Sequence, residues 1–570
     1  MIVTMNTPHR PPASRRGFLD TTLRLTATGA LAAAGGLGAG CDGSTTAGGG
    51  PAAAAAHSGD GPGTRPPLTG SPGPVTAQDL VDVDTLWSWV ERMNAAGPRL
   101  PGSPAHRAFI DDLDRQLRGY GLTVTRHPAR LEEWLARSWS LRVTDAEGVT
   151  RPIPVASYRP HSGETGPAGV TGRLIDAHAG DEAAYQAAGA AAAAGATGAG
   201  TAGGLGGAIV VVDAPITRLT ASVLADLAYT VLPPQARADF AQEDYSRVWL
   251  GVPPPPSLPL ARAHGAAAMI EIVDQTPELA AGQYTPHQQE HAGLPALRLD
   301  REQGARLREI LARGPATATL VLTASRRETT VDYLLARLPG ARAATATATG
   351  AGAGAGAGPA GERPRAVLVT THTDGQNALE ENGGPALLAL AEYLSRYPAA
   401  SRARDLLFLF SPTHMAADAA TVKPDAWLRE HPEVLAEVDM ALAAEHLGAL
   451  GWDDQGGTAP YRPTGRSEPV AVAVGHSETL RRLAEEEVEH GGLTRVGIQK
   501  PFQNGLYGEG TFPYRLGLPT IGMITGPAYL LQVAPGGNLD KLDRALLHRH
   551  TVFVAGLLTR MMALPAGRPS

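Results

Sequence analysis

At 570 residues the chain is too long for one ordinary core and reads as two or three folded domains. Its 68 glycines and 47 prolines, about a fifth of the chain against a usual level of roughly 12%, place part of that length in linkers and low-complexity runs. A single cysteine excludes a disulfide framework and any thiolate cluster, so a bound metal would need His, Asp and Glu; the net charge of −7 offers no footprint for nucleic acid.

Residues 1–41 read as an export signal. Ser14-Arg15-Arg16-Gly17-Phe18-Leu19 sets paired arginines before apolar residues, and the mild Ala/Gly-rich stretch 25–40 is too short for a membrane span. The pattern resembles a twin-arginine signal, whose translocase accepts folded cargo. Cys41 follows Leu37-Gly38-Ala39-Gly40, a lipoprotein-like cleavage site with Leu one position early, so Cys41 is the expected lipid attachment point and the protein is expected on the outer face of the cell membrane. The plainer alternative is a secreted protein in which Cys41 is incidental. Residues 42–75 form a Gly/Ala/Ser/Pro-rich tether.

Ser103-Pro104 is a helix start, with Phe109, Leu113 and Leu117 on one face and Gly121 as the stop. From about residue 139 to 324 short apolar strands take over, including 208–212, 267–273 and 317–322. Two Ala/Gly runs, 183–207 and 341–361, read as surface expansions of loops, because neither has an apolar face to bury. From residue 365 strands alternate with helices, which predicts an α/β fold with a mostly parallel sheet flanked by helices. The middle segment, through Gly207-Ala208-Ile209-Val210-Val211-Val212-Asp213, Ala261-Arg262-Ala263-His264-Gly265-Ala266-Ala267 and Leu294-Pro295-Ala296-Leu297, resembles a protease-associated (PA) domain, which implies a β-rich accessory or lid. The expected division is a peptidase-like α/β domain over 76–135 and 328–565, interrupted by a PA-like domain over 136–327.

The chemistry is expected at strand ends. Three apolar runs, 366–371, 406–410 and 438–444, end in His372-Thr373-Asp374, Ser411-Pro412-Thr413-His414 and Glu445-His446-Leu447-Gly448. Ligands of open α/β sheets bind outside the carboxyl ends of the strands. Glu380-Glu381-Asn382 precedes an expected amphipathic helix carrying Leu387, Leu390, Ala391 and Leu394, whose N-terminus faces that edge. Nitrogen and oxygen donors converging from three strand ends and one helix start suit Zn²⁺.

These residues resemble the zinc aminopeptidases, whose members often carry an inserted PA domain. Gly97-Pro98-Arg99-Leu100-Pro101-Gly102-Ser103-Pro104 fits their opening segment and Gly517-Leu518-Pro519 a late turn. The resemblance implies that His372 binds zinc, that Asp374 orients it, that Glu381 stands where a metal-bridging Asp is usual, and that Glu445 stands where another Asp ligand is usual. The chain departs from the family at Thr413-His414, where a Glu-Glu pair supplies the general base and a ligand of the second metal. It departs again at Gly510, where a zinc-binding His is usual and Glu509 lies adjacent. Threonine cannot serve as base near neutral pH. What the resemblance leaves is a site for one Zn ion, with His372, Glu381, His414 and Glu445 as metal ligands, and with Glu380, Glu509 or His446 as the catalytic acid–base group. The expected activity is hydrolysis of peptide or other amide bonds; the alternative is a catalytically degenerate binding or accessory protein of the cell envelope. No Gly-x-Ser-x-Gly elbow supports a metal-free serine hydrolase.

Overall fold

The computed structural model describes residues 65–194, 204–251, 254–285, 291–341, 366–416 and 423–570. The expected signal, Cys41, the tether before residue 65 and residues 342–361 of the second Ala/Gly run lie outside the described residues. Among the described residues no helix is long and apolar enough to cross a membrane.

Helix α1 (Val83–Ala95) is capped by Asp82, which accepts from the Thr85 amide. Helix α2 (Pro104–Gly119) starts where its cap predicts: Ser103 Oγ accepts from the His106 amide at 3.1 Å, and Phe109, Leu113 and Leu117 are buried. The next element is a strand of 22 residues, β1 (Thr123–Thr144). After it come β2 (Val170–Asp176), α3 (Glu182–Ala194), β3 (Ile209–Ala214), β4 (Ala228–Leu232), β5 (Ala268–Val273) and β6 (Ala296–Leu299). A second 22-residue strand, β7 (Thr317–Leu338), then pairs antiparallel with β1 from Thr123↔Arg337 to Thr144↔Thr317. This ribbon passes through residues 135–136 and 327–328, so a continuous pair of strands carries the chain out of the α/β part and back.

Alternation of strand and helix then resumes as expected. The elements are β8 (Ala366–His372), α4 (Gly383–Ser395), β9 (Asp405–Ser411), β10 (Val438–Ala444), β11 (Val470–Gly475), β12 (Val496–Gln499), β13 (Thr520–Thr525) and α5 (Arg544–Ala563). Among the described residues a mixed sheet of 15 strands is flanked by helices, with β6-β5-β3-β2-β7-β9-β8-β10-β13-β11-β12-β4 consecutive in it, and a separate two-stranded sheet pairs Leu450–Asp453 with Arg462–Ser467. Strands β9, β8, β10 and β13 are parallel, which sets the carboxyl ends of β8, β9 and β10 side by side. The inserted stretch contributes at both ends of the sheet, because β4 pairs antiparallel with β12 at its far edge.

Two expectations change. Part of the first Ala/Gly run is helical, as α3, since alanine is the strongest helix former and Tyr185 gives the helix one fully buried anchor. Helix α4 is buried on every side rather than amphipathic: all residues from Gly383 to Leu394 are inaccessible, between the sheet and α1, α2 and α5. It therefore fixes the residues just before it without freedom to swing.

Candidate metal centre

His372 is the last residue of β8, in register with Ser411 at the end of β9. Its Nδ1 lies 2.9 Å from the Asp374 backbone oxygen. A carbonyl only accepts, so Nδ1 carries a proton. His446 is built the same way. Its Nδ1 donates to the Thr525 carbonyl at 3.1 Å, and it sits at φ 58°, a left-handed conformation that turns the ring back over the strand ends. In each ring Nδ1 is thus committed to a carbonyl, and Nε2 is the nitrogen that can take either a metal ion or a second proton in one buried space. A carbonyl on the far nitrogen is the arrangement that fixes metal-ligating histidines.

Carboxylates meet them. Glu445 Oε2 lies 3.2 Å from His372 Nε2 and 3.6 Å from His446 Nε2, and Glu380 Oε1 lies 3.6 Å from His446 Nε2. Among the described residues His372 Nε2, His446 Nε2, Glu445 Oε2 and both Glu380 carboxylate oxygens are buried without a hydrogen-bond partner. Ligand atoms of His372, Glu380 and His446 lie within 4.8 Å of one another, as do those of His372, His414 and Glu445. Atoms about 2.1 Å from a common zinc lie about 3.4 Å apart in a tetrahedron, close to the 3.2 and 3.6 Å separations between Glu445, Glu380 and the two imidazoles.

The surroundings hold this set rigid. Asn382, at the start of α4, clamps Leu447 on both sides: its Nδ2 donates to the Leu447 carbonyl at 2.7 Å and its Oδ1 accepts the Leu447 amide at 2.8 Å. The Glu509 amide donates to Glu445 Oε1 at 2.6 Å. Gly508 beside it stands at φ 62°, where a Cβ would overlap Glu445 Oε1, so only glycine lets this turn close on the carboxylate. Asp374 uses its backbone oxygen on His372, while its carboxylate accepts the amides of His414 and Met415 at 3.1 and 2.6 Å. It orients the first histidine through the main chain and the loop of the second through its side chain.

Burial sets the electrostatics. It raises Glu380 to about 7 against the attraction of His446, and Asp374 to about 6 against that of His372. It also raises Glu509 well above the carboxylate range, against His372 and with Glu445 and Asp374 adding to the shift. Burial alone would depress His372 and His446. Glu445 outweighs it at His372, and Glu380 and Glu445 at His446, so both imidazoles stand above their ordinary value. Burial would raise Glu445 too, but His372 and His446 hold it below the usual range.

The seven site residues expected from the sequence are all buried in this region. His372, Glu445, His446 and Glu380 converge. His414 stacks on His372 with ring centroids 4.1 Å apart and meets Glu509 Oε1 through Nδ1 at 2.5 Å. Glu381 is placed differently from its neighbour: it forms a fully buried ion pair with Arg99, whose Nη2 also donates to the Asn377 carbonyl at 2.7 Å. Thr413 Oγ1 lies 2.6 Å from Tyr333 Oη and takes no carboxylate-like role. Arg99, Tyr333 and His106, which meets Thr373 Oγ1 at 2.9 Å, gave no signal of their own in the sequence. An arginine inside a Gly/Pro turn announces nothing until its buried partner is known.

A small cavity of about 50 Å³ opens beside the cluster, with His414, Glu445 and His446 on one wall. The rest of its lining is largely apolar and includes Tyr245 and Trp249.

No family model and no curated protein matches the sequence. Solved structures do match the fold. An aminopeptidase from Aneurinibacillus sp. strain AM-1 aligns over 87% of this chain and 97% of its own, at 14% identity and TM-score 0.53. BSAP, a zinc aminopeptidase from Bacillus subtilis, aligns over 84% and 95%, at 16% identity and TM-score 0.52. An M28 peptidase precursor from Shewanella amazonensis SB2B aligns over 87% and 96%, at 17% identity and TM-score 0.55. The chain shares the α/β fold of zinc aminopeptidases and M28 peptidases, and it carries a His/Glu cluster able to take a metal ion where its strands end.

Proposed function

We propose that the protein is an exported, metal-dependent hydrolase of peptide or other amide bonds that works with one zinc ion, held by His372, Glu380, Glu445 and His446. The observation that carries this reading is a set of buried nitrogen and oxygen atoms, at the ends of β8 and β10 and just before α4, that meet only one another. Five such atoms from four residues are costly in an apolar interior unless a cation or protons complete them. Relative to the sequence expectation, Glu380 and His446 join the ligand set, Glu381, paired with Arg99, leaves it, and His414, which lies within reach of His372 and Glu445, is assigned to Glu509 instead. A zinc ion in this position supplies Lewis-acid stabilisation of the charge that develops on a scissile carbonyl.

The remaining work falls to this chain's own side chains. Glu509 keeps one oxygen on His414 Nδ1, while its Oε2 has no partner among the described residues. Through that oxygen it takes the proton of an attacking water and returns it to the leaving amine. The inserted stretch 136–327 is read as a PA-like domain that builds part of the substrate wall, and Cys41 as the lipid anchor holding the mature protein at the cell surface.

Elemental analysis of the folded, exported protein tests the metal: about one zinc per chain is expected, with less than about 0.2 in His372→Ala. Release of amino acids from a peptide library tests turnover, with Glu509→Gln expected to keep its zinc and lose activity at least about a hundredfold. Absence of zinc, or turnover no greater than in His372→Ala, would refute this reading. A second reading, a binding protein without turnover, draws support from Thr413, which the resemblance places where a glutamate base is usual and which is engaged with Tyr333. A protein that keeps its zinc but cleaves nothing in the library supports it.

A further inference from the structure

Four of the fifteen residues that line the cavity beside the cluster come from far away in the chain. Leu224, Tyr245, Trp249 and Leu250 come from the inserted stretch, far along the chain from the strand-end residues they face. The stretch is tied down where it crosses. Trp249 Nε1 donates to the Pro527 carbonyl at 3.1 Å. Arg247 Nε donates to the Gly526 carbonyl at 3.1 Å, and its Nη2 meets Glu468 at 3.0 Å, with both charged side chains almost wholly buried. The same guanidinium lies over the Tyr245 ring, 4.4 Å from its centroid. A Cβ on Gly526 would come within 2.7 Å of the Trp249 ring and 2.8 Å of Tyr245 Oη, so both aromatics press directly onto backbone that only glycine leaves bare. A buried ion pair between Arg495 and Glu243 anchors the start of the segment, and β4 adds itself to the sheet beyond it.

We infer that Tyr245 and Trp249, positioned by Arg247 between Glu468 and Gly526, are the specificity-determining wall of the site and select an apolar side chain of about leucine size. About 50 Å³ accommodates roughly four water-sized groups at 10–15 Å³ each, the heavy-atom count of a leucine side chain. The wall offers few polar partners, so a polar side chain of the same shape would lose its hydrogen bonds to water and gain none. Arg247 touches no substrate; it acts through the aromatics it holds. As a statement about substrate, this rests on the hydrolase reading above. As a statement about binding, it does not.

The experiment uses two readouts on the zinc-loaded mature protein. Calorimetry compares L-leucinamide with L-asparaginamide, nearly equal in shape and opposite in polarity. The wild type is expected to favour leucinamide at least about tenfold, Trp249→Phe to keep that preference, and Trp249→Ala and Arg247→Met to reduce it to about threefold or less. In kinetics on aminoacyl anilides, Trp249→Ala is expected to shift the kcat/KM ratio of phenylalanyl to alanyl substrate at least about tenfold, with zinc content unchanged. Leucinamide preference without any hydrolysis supports the wall and sinks the hydrolase. Hydrolysis with side-chain preferences that neither Trp249→Ala nor Arg247→Met moves by more than about twofold overturns the wall and spares the hydrolase. Should Arg247→Met fail to fold, Trp249→Ala against Trp249→Phe decides alone.

Discussion

Replacing Arg99 by methionine isolates the least expected contact in the site. The guanidinium is wholly buried and bonds to Glu381, to the carbonyl of Asn377 at 2.7 Å, to that of Met93 at 3.2 Å, and to that of Gly97. Methionine fills a similar volume and removes the charge, leaving a fully buried carboxylate without its counter-ion. Breaking one side of such a pair costs about 3–5 kcal/mol, a large share of the stability of any domain. Burial already raises the proton affinity of Glu381 against the attraction of Arg99. Denaturant unfolding followed by tryptophan fluorescence, on Arg99→Met, Glu381→Gln and the double variant, measures the coupling. The double variant is expected to be about 2–3 kcal/mol more stable than the sum of the single effects implies. Additivity within about 0.5 kcal/mol would show that the pair is not coupled in solution. Elemental analysis of the same proteins separates structure from ligation, since Glu381→Gln is expected to retain zinc; its loss there to the level of His372→Ala would return Glu381 to the ligand set and refute Arg99 as its counter-ion.

Glu445→Leu leaves the buried Glu509 amide without its acceptor, so in chelator it is expected to lose about 1–3 kcal/mol of stability, while the zinc-induced rise in melting temperature disappears; a persistent rise counts against ligation. His446→Ala is expected to lower zinc affinity at least about a hundredfold in a competition assay with a coloured chelator, and a change below about threefold would remove His446 from the set. Burial lifts Glu468 to about 7 against Arg247, so between about pH 4.5 and 7 the folded protein keeps a proton that the unfolded chain has released. The stability this proton contributes is present below that window and lost as pH rises through it; Glu468→Gln is expected to flatten the curve by about 3 kcal/mol, and an unchanged slope would contradict it. Cys41→Ser is expected to move the protein from the membrane fraction to the medium, and an unchanged distribution would remove the lipid anchor.

The sequence showed some parts plainly because local physics decides them. The strands β8, β9 and β10 are continuous apolar runs, as parallel strands buried on both faces must be, and a site at their carboxyl ends follows from that topology. Ser103-Pro104 marked a helix because cap and proline act within one turn. The long ribbon was not legible. β1 places Arg126, Arg130, Glu132 and Arg137 on its surface, and its pairing with β7 is settled by partners some two hundred residues away, such as Glu133 with Arg327. The same limit separated Glu380 from Glu381. Adjacent residues of one type look alike until the fold decides that one faces His446 and the other Arg99. Tyr245 and Trp249 were invisible for a similar reason: nothing local says that an inserted loop will lie on Gly526.

The departures at Thr413-His414 and Gly510 take on a different meaning once the loops are folded. The resemblance implies a carboxylate pair after β9 and a histidine in the turn before β13. This chain has a histidine after β9 and a carboxylate in the turn, and the two meet at 2.5 Å between His414 and Glu509. A histidine and a glutamate have in effect changed loops, leaving the inventory of proton-carrying groups at the strand ends nearly intact. A site that had simply lost its use would have no reason to keep that inventory. Unpartnered buried carboxylates and imidazoles destabilise a fold, and apolar residues of similar volume in their place are commonly neutral or stabilising. Glu380, Glu445, His372 and His446 stay, each with at least one buried atom lacking a partner among the described residues. Polar groups retained at a cost mark functional sites, where local rules are broken for a reason. That cost is what the proposed metal centre would account for.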